Sequence, residues 1–253
     1  MKKRLDVLLV ERGLAESRSQ AQALVLAGLV RGHSKPGEQV ADDAELEVEQ
    51  PPRYVSRGGE KLHNAIDAFG IEVAARDCAD VGASTGGFTD CLLQAGAARV
   101  IAIDVGYGQL HPRLRADPRV TVLERVNARA LTELPFAPDL VVCDVSFISV
   151  KTALPPVLAL ALPGWEALAL VKPQFEAGRA DAARGVVRDP EVHRRVLHDV
   201  LDASSAWGAV VDGVVDSGLP GPKGNREFFV HLRHAPGETT SDDADRWIAD
   251  AVG

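Results

Sequence analysis

A glycine-rich turn, DVGASTGGFTD, occupies residues 80–90, between an apolar segment and a helical one. Glycines in such a turn let the backbone approach a ligand closely, and the carboxyl end of a strand in an open α/β sheet is where nucleotide-like ligands bind. The turn lacks the Gly-Lys-Ser/Thr of a P-loop and the spacing of the dinucleotide fingerprint. We therefore do not expect a triphosphate ligand here.

A second acidic residue, Asp104, ends the next apolar segment, RVIAIDVG. A carboxylate at the tip of the neighbouring strand can accept hydrogen bonds from both hydroxyls of a ribose, and Asp80 can pair with a cationic group. A ligand with a ribose, a positive end and no pyrophosphate fits S-adenosylmethionine. A Rossmann-type dehydrogenase and a purely structural turn remain the alternatives on these residues alone.

The elements that must position these residues follow from the hydropathy pattern. From residue 70 onward, apolar segments alternate with helical stretches; these segments read CADVG, VIAIDVG, VTVLE, DLVVCDV, ALALVKP, AVVDGVV and EFFVHL. Such alternation predicts an α/β fold with a mostly parallel sheet. A continuous apolar run such as LVVC suits a strand that is covered on both faces.

The first 50 residues have a different pattern, which predicts a small α+β module. The segment RLDVLLVERG has leucines at helical spacing and ends at Gly13, and a second helix is expected from an N-cap at Ser17 to Gly28. Strand-like pieces follow at residues 39–40 and 45–49. A unit of this size is small for independent stability.

Composition limits the classes of function. The chain has 253 residues and a net charge of −8, so any contact with nucleic acid must come from local basic patches. It has no apolar run long enough to span a bilayer and no secretion signal, which predicts a cytoplasmic protein that does not act at a membrane. Cys78, Cys91 and Cys143 lack the spacing of a zinc site or disulfide framework, so no metal is expected.

The N-terminal module resembles the S-four RNA-binding domain of ribosomal proteins and RNA-modifying enzymes. The matching segments are RLD at 4–6, SRSQA at 17–21 and AGLV at 27–30. The resemblance implies that basic residues, among them Arg4 and Arg18, contact RNA phosphates. The alternative is an ordinary amphipathic pair of helices with solvated charges.

Nearly all of residues 1–234 resembles the TlyA family of ribosomal RNA ribose methyltransferases. The segments that carry the likeness are YVSRGGEKL at 54–62, DVGASTGGFTD at 80–90, CDVSFIS at 143–149, LVKPQFE at 170–176, GVVRDPEVHRRV at 185–196 and GPKGNREFFVHL at 221–232. The resemblance implies a Rossmann-like S-adenosylmethionine-dependent methyltransferase fold of the FtsJ type behind an S-four domain. It also implies 2′-O-methylation of ribose, most simply of cytidine, in ribosomal RNA.

That resemblance also divides the chain. It implies an S-four-like RNA-binding domain at 1–52, an interdomain linker at 53–62, a methyltransferase domain at 63–234 and a C-terminal tail at 235–253. The expected partners are ribosomal RNA or ribosomal subunits, with no metal, and no oligomeric state is predicted.

The FtsJ-type catalytic tetrad, Lys-Asp-Lys-Glu, matches four positions here, namely Lys61, Asp144, Lys172 and Glu227. A ribose 2′-hydroxyl is a poor nucleophile at neutral pH, so its oxygen must be positioned and its proton removed or stabilised as it leaves. Lys172 is therefore either a base or a group that mainly orients the hydroxyl.

The expected cofactor contacts come from the glycine turn, the strand ends and the FtsJ-type pattern, which places Asn127 at the adenine edge. They are Asp80, Gly82, Ala83, Ser84, Gly86, Phe88, Asp104, Asn127 and Asp144. Phe88 fits a place in the core as well as a place in the ligand wall.

Two arginines of the expected linker, Arg53 and Arg57, are candidates for RNA phosphates beside the active site. Methylation of a base amino group is disfavoured, because the turn after Asp144 reads Val-Ser-Phe and lacks the usual proline stacking motif. Methylation of a base carbon needs an exposed thiolate, and Cys143 lies inside an apolar strand.

Two further functions from other classes are considered. One is a non-catalytic RNA-binding or ribosome-assembly protein with a degenerate methyltransferase fold, against which the intact tetrad and glycine turn argue. The other is a membrane-acting haemolysin, a label sometimes attached to this family, which the lack of an apolar span disfavours.

Overall fold

The computed structural model describes residues 2–49, 52–178, 180–182, 185–221 and 223–253. The chain forms two compact units, Met1–Arg53 and Tyr54–Gly253.

The first unit consists of two short helices and a two-stranded antiparallel sheet, namely β1 (Lys2–Arg4), α1 (Leu5–Glu11), α2 (Arg18–Leu26) and β2 (Gln39–Ala41). Both predicted helices are present, and the Ser17 hydroxyl caps α2 by accepting the Gln20 amide at 3.2 Å. The expected strand at 45–49 is wrong, because only Val48 pairs there, in an isolated bridge with Val30. Strand β1 was not predicted, because its three residues, Lys-Lys-Arg, show no alternation of apolar and polar side chains.

A buried carboxylate organises the basic side of this unit. Asp6 is fully buried and accepts hydrogen bonds from Arg4 Nε at 3.0 Å, from Arg18 Nε at 2.9 Å and from Gln22 Nε2 at 2.8 Å. The side chains of Arg4 and Arg18 are still 42% and 56% exposed. The two arginines expected on RNA phosphates therefore also neutralise Asp6, and replacing them by alanine would leave a buried charge without its partners.

We expect Asp6→Asn to destabilise the first unit by about 1.5–3 kcal/mol at pH 7, since it removes a charge from this set of hydrogen bonds. The Arg4 guanidinium beside Asp6 holds the pKa of that carboxyl well below its usual range. The stabilisation is therefore present above the unfolded value, about 3.9, and is lost as the pH falls toward the folded pKa.

Urea unfolding of the first unit, followed through the amide NMR signals of α1 and α2 at pH 7 and pH 3, tests this prediction. The difference between wild type and Asp6→Asn should shrink at the lower pH. An equal difference at both pH values would contradict it.

The second unit is built on a seven-stranded sheet in the order β5-β4-β3-β6-β7-β9-β8. Its strands are β3 (Asp77–Val81), β4 (Arg99–Asp104), β5 (Val120–Glu124), β6 (Leu140–Cys143), β7 (Glu166–Val171), β8 (Ala209–Asp216) and β9 (Phe228–His234). All neighbours are parallel except β9, which is antiparallel to both β7 and β8. The predicted α/β fold with a mostly parallel sheet is confirmed.

Helices cover both faces of this sheet. They are α3 (Arg57–Phe69), α4 (Gly87–Gln94), α5 (Pro112–Arg115), α6 (Val150–Ala153), α7 (Pro155–Leu158), α8 (Pro173–Glu176), α9 (Pro190–Ser204) and α10 (Ser241–Val252). Alternate residues of one strand enter different cores: Val141 packs on the α9 side and Val142 on the α3 side. The continuous apolar strands follow from this double coverage.

Two of the predicted segments need correction. Residues 53–62 are not a free linker, because Tyr54 is buried in the second unit and α3 begins at Arg57. A side chain at Gly59 would lie 2.3 Å from the Tyr54 ring, so this glycine serves close packing rather than flexibility. Residues 235–253 are not a loose tail, since α10 buries Ile248 in the main core.

Candidate active site

The site lies where the carboxyl ends of β3, β4, β6 and β7 meet the amino-terminal part of α3. Two cavities, of about 630 and 360 Å³, open there. Their linings share the residues Gly82, Ser84, Asp144, Ser146 and Phe147. A volume of this kind is typical of a site for a small molecule, and the parallel strand ends are its usual position in such a fold.

The glycine turn forms part of the wall of both cavities. Gly82 has φ +89, and a side chain there would lie 2.6 Å from the Asp144 carbonyl, so only glycine lets the turn pass the end of β6. Ala83 and Ser84 line the larger cavity. Gly86 lines neither of the two described cavities, and its φ of +96 with a close approach to the Leu114 side chain shows a packing requirement instead.

Asp80 lies beneath this turn, fully buried. Its Oδ2 accepts hydrogen bonds from the Thr89 amide at 2.9 Å and the Thr89 hydroxyl at 2.6 Å, which fixes the first turns of α4. Burial raises the pKa of Asp80 to about 7, against the lowering effect of the Thr89 hydroxyl. Asp80 lines neither described cavity, so the structure places it as a support of the turn.

Asp104 is held at the mouth of the smaller cavity by two backbone amides. Oδ2 accepts from Ser84 at 2.8 Å and Oδ1 accepts from Gly106 at 2.6 Å. A carboxylate has about four acceptor positions, so these two bonds leave further capacity for a ligand. Asn127 lines the same cavity, and its Oδ1 accepts the Arg129 amide at 3.1 Å.

The structure brings the four tetrad residues together around the larger cavity as two ion pairs. Lys61 Nζ donates to Glu227 Oε2 at 2.6 Å, and Lys172 Nζ lies 2.5 Å from Asp144 Oδ1. The two lysines and Glu227 are each less than a tenth exposed. Each buried cation thus has its own carboxylate, as a buried charge requires.

Two polar side chains that sequence reasoning missed complete these pairs. Ser146 Oγ accepts a hydrogen bond from Lys172 Nζ at 2.9 Å, and Gln174 Nε2 donates to Glu227 Oε1 at 3.2 Å. Both lie inside segments that carry the family likeness, CDVSFIS and LVKPQFE, two residues after a tetrad member. Their closeness in sequence to Asp144 and Lys172 is the feature that could have identified them as site residues.

Aromatic rings form another part of the larger cavity. Phe88 is buried against Phe229, with ring centroids 5.9 Å apart, and lines the cavity as well, so it belongs to both core and wall. Phe147 is 92% exposed with φ +65, and its ring contacts Phe175 at 5.0 Å. A positive φ at a phenylalanine could not be read from the sequence.

The candidate RNA contacts are spread over both units. Arg57 is exposed and lines the larger cavity, where exposed Lys223 is a further cation that sequence reasoning missed. Arg53 is exposed in the first unit. Cys143 is fully buried, and burial raises its pKa to about 12, so it offers no thiolate.

Two other features are absent from the described residues, namely a metal-binding cluster and a membrane-spanning helix. No group of three or more His, Cys, Asp or Glu side chains in this part of the chain could hold a metal ion. None of its helices is both long and apolar enough to cross a membrane.

Comparison with known proteins gives two family matches and several close relatives. The FtsJ-like methyltransferase model matches residues 54–234, and the S4 domain model matches residues 3–31. The 16S/23S rRNA (cytidine-2′-O)-methyltransferase TlyA of Mycobacterium tuberculosis is 49% identical, over 91% of this chain and 89% of that protein. Hemolysin A of Brachyspira hyodysenteriae is 40% identical, over 90% of this chain and 99% of that protein.

A solved structure is similar to this chain. It is a Streptococcus thermophilus protein described only provisionally as a hemolysin, with 40% identity and a TM-score of 0.75. The match covers 98% of this chain and 94% of that one.

Proposed function

We propose that the chain, which belongs to the FtsJ-like methyltransferase family and carries an S4 domain ahead of the methyltransferase domain, methylates ribose 2′-hydroxyls of ribosomal RNA. The methyl donor is S-adenosylmethionine, and the target nucleotide is cytidine. The observation that carries the proposal is the convergence of Lys61, Asp144, Lys172 and Glu227 on one cavity. The name of the M. tuberculosis relative, which specifies cytidine 2′-O-methylation of rRNA, supports the substrate.

The residues of the two cavities fit the donor. Asp104, with acceptor capacity left over from its two amide bonds, would hold the ribose hydroxyls, and Asn127 in the same cavity would meet the adenine edge. Gly82 and Ser84 line both cavities and would lie against the amino-acid portion. When bound, S-adenosylmethionine supplies an electrophilic methyl group on a sulfonium.

Lys172 is the group that acts on the substrate hydroxyl. An ammonium has three protons, and one of them is directed to Ser146, while Asp144 pairs with its charge. A proton that remains can be donated to the ribose 2′-oxygen, which positions this oxygen and stabilises the negative charge that develops on it; the proton of the hydroxyl passes to water as the oxygen accepts the methyl group.

The second ion pair, which lines the same cavity, supports this chemistry. Glu227 is almost fully buried and neutralises Lys61, while Gln174 orients its other oxygen. Lys61 is thereby held at the cavity as a second cation that favours the developing anion. Neither lysine would stay in such a buried place without its carboxylate.

The S4 domain and the cations of the cavity would bind the RNA. Arg4 and Arg18 keep about half of their side-chain surface exposed while they neutralise Asp6, so their outer donors are available to phosphates. Arg53 and Arg57 add exposed positive charge. Ribosomal subunits or their RNA are the proposed partners, which puts the reaction in the cytoplasm.

Mass spectrometry of nucleosides tests the proposed product. Ribosomal RNA from cells that lack the gene is incubated with the purified chain and S-adenosylmethionine and then digested. We expect 2′-O-methylcytidine to appear. A different methylated nucleoside, or none, would overturn the assignment of cytidine ribose.

Replacing Asp104 by alanine should weaken the binding of S-adenosylmethionine at least tenfold, because charge-assisted hydrogen bonds are worth about 1.5–3 kcal/mol. Isothermal titration calorimetry measures the affinity directly. Glu124→Ala is the matched control, since Glu124 pairs with Asp104 in register at the tip of β5 but lies outside the described cavities. Equal affinities of wild type and Asp104→Ala would remove Asp104 from the cofactor site.

A further inference from the structure

Two segments carry the two halves of the Lys172–Asp144 pair. The β6 loop, residues 144–149, follows strand β6, and the β7 turn, residues 172–176, follows strand β7. The pair joins the two segments at their beginnings, at 2.5 Å. At the end of the β7 turn lies Glu176, a buried carboxylate with no part in the mechanism described above.

Glu176 joins the same two segments at their other end. Its side chain is 2% exposed, its Oε1 accepts the Val150 amide at 2.7 Å, and its Oε2 accepts the Ser149 hydroxyl at 2.5 Å. Ser149 is the N-cap of α6, whose Lys151 amide it accepts at 3.0 Å. The carboxylate thus fixes the last residue of the β6 loop and the first of the helix that follows.

Within the β6 loop, Val145 and Ile148 pack on the main core, but the residues between them do not. Phe147 has φ +65 and is 92% exposed, and Ser146 is exposed as well. A phenylalanine keeps such a backbone conformation only where its surroundings impose it. Contacts with the β7 turn supply those surroundings: Lys172 holds Asp144 and Ser146, Phe175 meets the Phe147 ring, and Glu176 holds the end of the loop.

We propose that Glu176 is a positioning residue, which holds the β6 loop against the β7 turn and so sets the geometry between Lys172 and Asp144. The inference rests on the proposed function, because it assigns Glu176 a part in that reaction. Glu176 acts through the loop and does not touch the reacting atoms.

The first test compares variants in single-turnover methyl transfer at saturating RNA and cofactor. Glu176→Ala should lower the rate roughly 10- to 100-fold, since a displacement of about 1 Å at a reacting group costs on that order. Cofactor affinity should change far less than the rate. Glu176→Gln, which keeps a carbonyl for the Val150 amide, should recover much of the loss.

Glu166→Gln is the matched control, because Glu166 forms an ion pair with Arg76 and a hydrogen bond with His231 at the start of β7, the strand that leads into the β7 turn. It should lose stability without losing the rate. A control that slows the reaction as much as Glu176→Ala would show a general effect of destabilisation and overturn the inference.

A double-mutant cycle with Asp144→Asn decides whether Glu176 works through the pair. If it does, Glu176→Ala should cost much less in the Asp144→Asn background than in the wild type. Equal costs in both backgrounds, or an unchanged rate in Glu176→Ala, would overturn the inference alone. A wild-type chain that places no methyl on ribose would overturn the proposed function and this inference with it.

Discussion

Lys172→Ala is expected to be nearly inactive while it binds S-adenosylmethionine and RNA almost as the wild type does. Lys172 donates to Ser146, pairs with Asp144 and keeps a donor for the ribose 2′-oxygen, so its loss should slow methyl transfer to that oxygen. Groups of this kind are worth on the order of 10² to 10⁴ in rate. Single-turnover methyl transfer and calorimetric affinities for the two ligands measure the two sides of the prediction.

Lys172→Arg is the informative companion variant. It keeps the positive charge, but a planar guanidinium cannot take the place of a compact ammonium. We expect it to fold as the wild type does and to remain slow. A Lys172→Ala variant with a normal rate, or one that loses cofactor affinity in proportion to rate, would contradict the assigned role.

Glu227→Ala is expected to have the largest effect on stability among the tetrad substitutions. It would leave the Lys61 ammonium, 8% exposed, without its carboxylate, and breaking a buried pair in this way costs about 3–5 kcal/mol. Urea unfolding of the second unit measures the loss. Methyl transfer should fall as well, because Lys61 would no longer be held at the cavity.

A double replacement separates stability from catalysis at this pair. Lys61→Met with Glu227→Leu removes both charges and fills the space with apolar side chains, which is often neutral for a buried pair. We expect much of the stability to return and the activity to stay lost. Recovery of activity together with stability would show that the pair serves only the fold.

The strands and the strand-end residues were predictable because a covered parallel strand must be apolar throughout. Where such a run stops at an acidic residue or a lysine, as at Asp104 and Lys172, the polar side chain must lie at the edge of the sheet. Parallel strands bring those edges together, so candidates far apart in sequence could be expected in one place. The geometry of the ion pairs themselves could not be predicted.

Local packing decided most of what the sequence did not reveal. Gly59 is the contact point for the Tyr54 ring, and Gly86, which was expected to contact the cofactor, makes room for Leu114. Asp80 looked like a partner for a cation, and the structure buries it under Thr89. A glycine or an acidic residue at a strand end gives the same sequence pattern whether it contacts a ligand or serves the packing of the fold.

The C-terminal segment and Glu176 were not predicted correctly for a related reason. Residues 235–253 lie beyond the segments that carry the family likeness, yet they form α10, which Thr240 caps by accepting the Asp243 amide at 3.2 Å. Glu176 lies inside a motif, but its role depends on Ser149, a residue on a neighbouring segment. A contact between two loops produces no periodic pattern in the sequence of either loop, so it cannot be predicted from the sequence.

The most direct test of ribose methylation follows a labelled methyl group through alkaline hydrolysis. Ribosomal RNA is methylated by the purified chain with S-adenosylmethionine that carries a tritiated methyl group and is then hydrolysed completely in alkali. A 2′-O-methyl group removes the hydroxyl that attacks the neighbouring phosphate, so we predict the label in alkali-resistant dinucleotides. Label recovered in mononucleotides would place the methyl on a base and contradict the account.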